Sequence, residues 1–301
     1  MSSTLNRRSA RCAPAPKLAH ICCVAASLLV AAPASAQADR PDVAHVAAYA
    51  DLADLALAAP VVLSAHVHAV VRVGRKSAPD LAPGVRRYLV RADVDGALLA
   101  PGPVPARVEY LWDVDAAPRP DIDDKPVLLF LAPVPGRADQ FRLVSPRAQT
   151  AATPALEERV RAILLQSRDP RLGHRVTGVA RAFTTPGTVP GAETTQLFLK
   201  TADATPVSLV VTARPPEPKH YGVSFGDTID PDAPPPAPDT LGWYYLACGL
   251  PPALPPEATA ELEEGARATV RADYAFVLAR LGPCARTPAE ASSTPTDAQS
   301  G

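Results

Sequence analysis

The stretch VVLSAHVHAVVRV, residues 61–73, decides how the first half of the chain folds. Every second residue from Val61 to Val73 is apolar. The polar side chains all stand at the intervening positions, which are Ser64, His66, His68 and Arg72. Successive side chains of a β-strand point to opposite faces, so this alternation predicts a strand with one buried face.

Four further strand-like segments follow, at residues 87–94, 108–114, 127–131 and 141–144. The first of them predicts Tyr88, Val90 and Ala92 on the inner face. Segment 127–131 is apolar throughout, which is typical of a central strand covered on both sides. Proline and glycine separate the segments, so the spacing predicts a small antiparallel barrel or sandwich.

This succession of strands resembles the OB-type barrel of netrin-like, or TIMP-like, domains. The resemblance rests on residues 61–73, 88–96, 127–131 and 141–144, which together span about a third of the chain. It implies an N-terminal OB-like antiparallel β-barrel. The inhibitors of that family share a cysteine at the mature N-terminus, where this chain has Gln37, and protease inhibition is therefore not implied.

A leading helix and the barrel together are predicted to form a first domain, residues 37–148. The helix is indicated by apolar residues at helical spacing on one face, namely Val46, Tyr49, Ala50, Ala53 and Leu57.

A second domain is predicted over residues 153–286, starting with a helix capped by Thr153. Strands at about 175–184, 194–200, 207–213 and 221–225 have short links, which predicts an antiparallel meander. Two helices follow, the last from about Glu257 to Leu281. The expected fold class is therefore α+β, with an OB-like barrel followed by a meander packed with helices.

Residues 1–36 have the pattern of a cleaved secretory signal, and the cut is predicted after Ala36. The alternative is an uncleaved membrane anchor. The apolar stretch 18–32 is shorter than the roughly 20 residues that a bilayer span needs. The mature protein is expected to be periplasmic or secreted, with no membrane span. Residues 287–301 are predicted to be a disordered tail.

Five cysteines are present, and Cys12, Cys22 and Cys23 leave with the signal. Cys248 and Cys284 remain, and in an oxidising compartment they predict one disulfide; two unpaired buried thiols are the alternative. The net charge is −1. Loss of the four cations of the signal leaves the mature chain near −5, which argues against a nucleic-acid partner.

Polar side chains offer only weak candidates for chemistry. His66 and His68 share a strand face and could begin a zinc or copper site, although a solvated face explains them too and no metal or cofactor is predicted. Asp121, Asp123 and Asp124 could bind calcium, although turn chemistry explains this cluster too. A catalytic carboxylate pair could come from four strand-end aspartates that ordinary turns also explain, namely Asp93, Asp95, Asp113 and Asp115. His220 and Asp227 flank the last predicted strand and could meet Ser224, although an ordinary exposed strand end explains them too. No catalytic residue is predicted.

Aromatic residues concentrate around the proline-rich run 230–239, namely Tyr221, Trp243, Tyr244 and Tyr245. They form either core or a binding patch, because Tyr and Trp are enriched among interface anchors. The functional hypothesis is a non-enzymatic binding module of the cell envelope, whose partner is an envelope protein or a glycan. The alternatives are a carboxylate- or metal-dependent hydrolase and a purely structural envelope protein.

Overall fold

A computed structural model describes residues 47–115, 121–172 and 175–287. The predicted signal peptide and residues 288–301 of the predicted tail lie outside the described residues. The fold is α+β, as predicted, with a closed barrel, a separate antiparallel sheet and four α-helices. No helix in the described part of the chain combines the length and the apolar character that crossing a bilayer would require.

Five strands form the barrel, β1 (Val61–Arg72), β2 (Val85–Leu99), β3 (Arg107–Asp115), β4 (Pro126–Val134) and β5 (Arg137–Leu143). They follow the order β1-β2-β3-β5-β4, and pairing between β1 and β4 closes the barrel. This is the OB-like barrel that the sequence predicts. One pair, β3 with β5, is parallel, so the barrel is not wholly antiparallel.

Every second residue of β1 faces the barrel core as far as Val67, as predicted. After Val67 the inward-facing positions change. A register shift between Val67 and Ala69 inserts a β-bulge. One extra residue moves each following side chain to the other face. Val70 consequently packs into the barrel core, whereas Val71, which the alternation placed inside, is 49% exposed.

Strand β4 is buried on both faces, as predicted, and lies between two hydrophobic cores. Val127, Leu129 and Leu131 fill the barrel. Leu128 and Phe130 face a second core built by the helices and the meander. Strand β4 therefore contributes side chains to both hydrophobic cores. The predicted domain boundary between residues 148 and 153 stays a prediction.

The meander is confirmed, with strands β7 (Val176–Pro186), β8 (Glu193–Thr201), β9 (Val207–Ala213) and β10 (His220–Phe225) in the order β10-β9-β8-β7. Before it come a short strand β6 (Gln149–Ala151), which pairs with β4, and helix α2 (Pro154–Gln166). The predicted cap of α2 is present, since the Leu156 N–H donates to Thr153 Oγ1 at 3.2 Å.

Three more helices cover the second core, α1 (Tyr49–Ala58), α3 (Leu241–Ala247) and α4 (Glu264–Leu281). The prediction that the last helix starts at Glu257 is wrong. A 3-10 turn occupies Pro256–Thr259, and Glu263 has an extended ψ of 154°, so helical geometry begins only after it. The predicted face of α1 is confirmed at Tyr49, Ala50 and Ala53, but Leu57 is exposed and Leu52 is buried. Val46 lies outside the described residues.

Cys248 follows α3 and Cys284 follows α4, and their sulfur atoms are bonded. The predicted disulfide is thus present and ties the ends of two neighbouring helices together.

The segment after the disulfide is held against α1. Arg286 forms ion pairs with Asp51 and Asp54. The Thr287 N–H donates to Asp51 Oδ2 at 2.7 Å, and Thr287 Oγ1 accepts from the Ala48 N–H at 2.9 Å. Thr287, predicted as the first residue of a disordered tail, is therefore fixed in place.

Acid is expected to weaken this contact. Partial burial tends to raise the pKa of the Asp51 carboxyl, but hydrogen bonds from Thr287 and Arg286 hold that pKa below its ordinary 3.8. A carboxylate with a lowered folded-state pKa stabilises the fold above its unfolded pKa, and that contribution disappears as pH falls through the folded value. Asp51→Asn should therefore lower the free energy of unfolding near neutral pH. The difference from wild type should shrink below pH 3.8 in urea titrations. A difference that does not change with pH would contradict this role.

Candidate functional site

A groove of about 730 Å³ opens beside strand β10, in the size range of small-molecule and peptide sites. One wall is the proline-rich loop at residues 235–238. Phe276 and Arg280 of α4 also line it, together with Tyr221 of β10 and Lys219, which directly precedes that strand. The groove is thus built where the edge of the meander meets the last helix.

The proline-rich loop is held in place along the edge of β10. The Val223 N–H donates to the Ala233 carbonyl at 3.2 Å. The Ser224 hydroxyl donates to the Asp230 carbonyl and accepts from the Asp230 N–H. A side chain at Gly222 would place its Cβ 2.5 Å from the Pro231 carbonyl oxygen, so only glycine permits this approach. The loop is irregular, as predicted, and its residues Asp230, Pro231 and Ala233 lie directly against β10, just before the lining residues 235–238.

Aromatic rings form the apolar part of the groove. The Tyr221 and Phe276 rings meet edge to face, with centroids 6.4 Å apart. Trp243 lies beneath, where its Nε1–H donates to the Leu281 carbonyl at 2.8 Å. Burial raises the pKa of the Tyr221 phenol, so the ring stays uncharged at neutral pH. The groove therefore offers a rigid, neutral aromatic floor.

The structure corrects the hypothesis of a four-residue aromatic patch. Tyr221, Trp243, Tyr244 and Tyr245 are only 4–7% exposed. Tyr244 and Tyr245 pack against one another away from the groove, and the Tyr244 hydroxyl donates to Asp54 of α1. All four belong to the second core, Tyr221 from β10 and the other three from α3. Only Tyr221 and Trp243 also border the groove.

A buried carboxylate fixes the strand side of the groove. Asp273 of α4 is 2% exposed and accepts hydrogen bonds from the Thr195 hydroxyl at 2.6 Å and from Lys219 Nζ at 2.5 Å. Thr195 is fully buried in β8. This network joins helix to sheet directly behind the groove and sets the position of Lys219.

Charged side chains also border the groove. They are the cations Lys219 and Arg280 and the carboxylate Glu217, and Lys219 is paired with Asp273. The Arg280 guanidinium carbon lies 5.5 Å from the centre of the Phe276 ring, a cation–π contact. Within the described residues Arg280 forms no ion pair. Its guanidinium therefore remains able to bind a negatively charged or carbonyl group of a ligand.

His66 and His68 are not brought to a common site. His66 Nε2 lies 3.0 Å from Asp124, and His68 Nδ1 lies 3.4 Å from Asp93. Within residues 47–115, 121–172 and 175–287, no three His, Cys, Asp or Glu side chains are grouped so that they could hold a metal ion. The two histidines instead form separate surface pairs with carboxylates.

Several of the other polar candidates are engaged in structural contacts. Asp113 binds Arg87, and Asp93 binds Arg107, whose hydrogen bond lowers the Asp93 pKa. The Ser224 hydroxyl is hydrogen-bonded to the backbone of Asp230.

Sequence reasoning did not find Phe276, Arg280, Lys219 or Asp273. One signal was available, because Asp273 falls between Val270, Tyr274 and Val277 on the apolar stripe of α4. A carboxylate on a buried stripe requires a partner inside the fold. Lys219 could not be paired with it from the sequence, since 54 positions separate the two.

Comparison with known proteins adds no relative to this picture: no family model matches the chain, and no curated protein matches its sequence.

Proposed function

We propose that this protein is an exported, non-enzymatic binding module of the cell envelope, and that the groove beside β10 is its binding site. The observation that carries the proposal is an open groove with a largely apolar lining that borders the core. The loop that supplies one wall is hydrogen-bonded to β10 through Asp230 and Ala233, Tyr221 and Trp243 belong to the core, and Asp273 binds Lys219.

Export is supported by two features. The first 36 residues have the charge and hydropathy pattern of a secretory signal. The bonded pair Cys248 and Cys284 is typical of an oxidising compartment such as the periplasm.

The lining favours a protein segment over a glycan as the partner. Prolines, Phe276 and the edges of Tyr221 and Trp243 give an apolar surface that suits hydrophobic side chains. Arg280, which forms no ion pair within the described residues, favours a segment that carries a carboxylate beside its apolar side chains.

Replacing Phe276 by alanine is expected to reduce partner capture from intact cells at least tenfold, on the order of one hot-spot residue. Phe276 is half-buried and forms the exposed part of the aromatic floor. Trp243 is unsuitable for this test because its side chain supports the core. The measurement is quantitative mass spectrometry of proteins crosslinked to the tagged protein.

Phe183→Ala is the matched control. Phe183 is also half-buried and stacks on Phe198, but it lies on β7 outside the groove. Equal capture by wild type and Phe276→Ala, or equal loss in both variants, would refute the assignment of the groove.

A further inference from the structure

Positive charge is concentrated in one hairpin of the barrel. Residues 72–87 contain five cations, Arg72, Arg75, Lys76, Arg86 and Arg87, and one acid, Asp80. In the mature chain as a whole, acids outnumber cations. Four of these cations, all except Lys76, line one cavity of about 250 Å³ between the end of β1 and the start of β2. This cavity shares no residue with the groove.

The backbone of the hairpin is fixed. The Val73 N–H donates to the Arg87 carbonyl at 2.9 Å, and the Ser77 N–H donates to the Gly74 carbonyl at 2.9 Å. Ala78, in the middle of the connection, is 1% exposed. The arginines therefore project from a defined turn.

Arg87 forms the inner side of the cavity. Its Nε and Nη2 donate to the two oxygens of Asp113 at 2.7 and 2.8 Å, and Asp80 accepts two longer bonds from it. These hydrogen bonds, that with Asp113 first, raise the pKa of Arg87. Its charge is permanent and its side chain is held in one position.

Arg72, Arg75 and Arg86 are exposed and form no ion pair with the described residues. With Arg87, Asp80 and Asp113 they make a cluster of four cations and two anions around the cavity. The cluster thus carries a net charge of +2, and its uncompensated guanidinium groups border an empty volume.

We propose that this cavity binds a phosphate monoester or inorganic phosphate. Arginine is the side chain best suited to phosphate, because its planar fork donates two parallel hydrogen bonds to two oxygens. A dianion matches the excess charge of the cluster. The phosphate group belongs either to a soluble compound or to a lipid headgroup such as that of phosphatidic acid.

The test is calorimetric titration of the full mature protein with inorganic phosphate in a low-salt buffer. We expect saturable binding that weakens about tenfold or more in the double variant Arg75→Gln, Arg86→Gln. The control is Arg137→Gln, Arg147→Gln, which removes the same charge from two exposed arginines outside the cavity that form no ion pair with described residues. Unchanged melting temperatures show that both variants are folded.

Absence of saturable phosphate binding, or an equal loss in the control variant, would overturn the proposal. Cosedimentation with phosphatidylcholine vesicles, with and without phosphatidic acid, then separates the two sources. Vesicle binding that requires Arg75 and Arg86 supports a lipid phosphate. Phosphate binding without vesicle binding supports a soluble ligand.

Discussion

Replacing both Cys248 and Cys284 by alanine is expected to lower the free energy of unfolding by about 4 kcal/mol. The bond closes a loop of 36 residues. In the chain-entropy model, removing such a bond frees the unfolded chain and stabilises it relative to the fold. For a chain of this size, the change corresponds to a fall in melting temperature of roughly 8–16 °C.

Urea unfolding of the double variant, and of wild type with and without reductant, measures this effect. The reduced wild type should resemble the double variant, since both lack only the covalent link. Arg286→Gln serves as a comparison because it weakens the same segment without touching the disulfide. A loss below about 1 kcal/mol in the double variant would show that the ion pairs alone hold the segment.

Asp273→Ala is expected to cost about 3 kcal/mol of stability. The variant leaves the fully buried Thr195 hydroxyl without its acceptor and Lys219 without its counter-charge. The expected cost is at the lower end for a broken buried ion pair, because the Lys219 side chain is 38% exposed and its ammonium can be hydrated once Asp273 is removed. Urea unfolding provides the measurement.

Two variants on the same helix sharpen this prediction. Asp273→Asn keeps an acceptor for Thr195 and should lose less than the alanine variant. Glu264→Ala removes exposed ion pairs with Arg267 and Arg271 and should cost below about 1 kcal/mol. If Asp273→Ala were no more harmful than Glu264→Ala, the buried network would not support the strand side of the groove.

The barrel and the meander could be predicted because their signals are local. Period-two alternation marks residues 61–67 and 87–94 as strands, and the uniformly apolar run 127–131 marks a strand buried on both faces. The bulge after Val67 could not be predicted, since it depends on pairing with β2 and leaves no mark in composition. The late start of α4 was missed because Glu257 and the following residues suit a helix, whereas tertiary packing favours a 3-10 turn.

The candidate site was predicted only in part. Two of the four aromatic residues that cluster near the proline-rich run, Tyr221 and Trp243, line the groove. The assignment of individual residues failed, since composition does not distinguish a ring under a helix from one that borders a groove. Phe276 and Arg280 come from a helix some 50 positions further along the chain than Tyr221, and only the packing of α4 on the meander brings them together.

Site-specific photo-crosslinking in intact cells tests the central claim most directly. A photoreactive amino acid at Ala237, an exposed residue of the groove wall, should capture one discrete envelope partner. The same amino acid at Ala202, exposed in the turn between β8 and β9, should not capture it. Capture at both positions alike, or at neither, would contradict the account of this groove as the binding site.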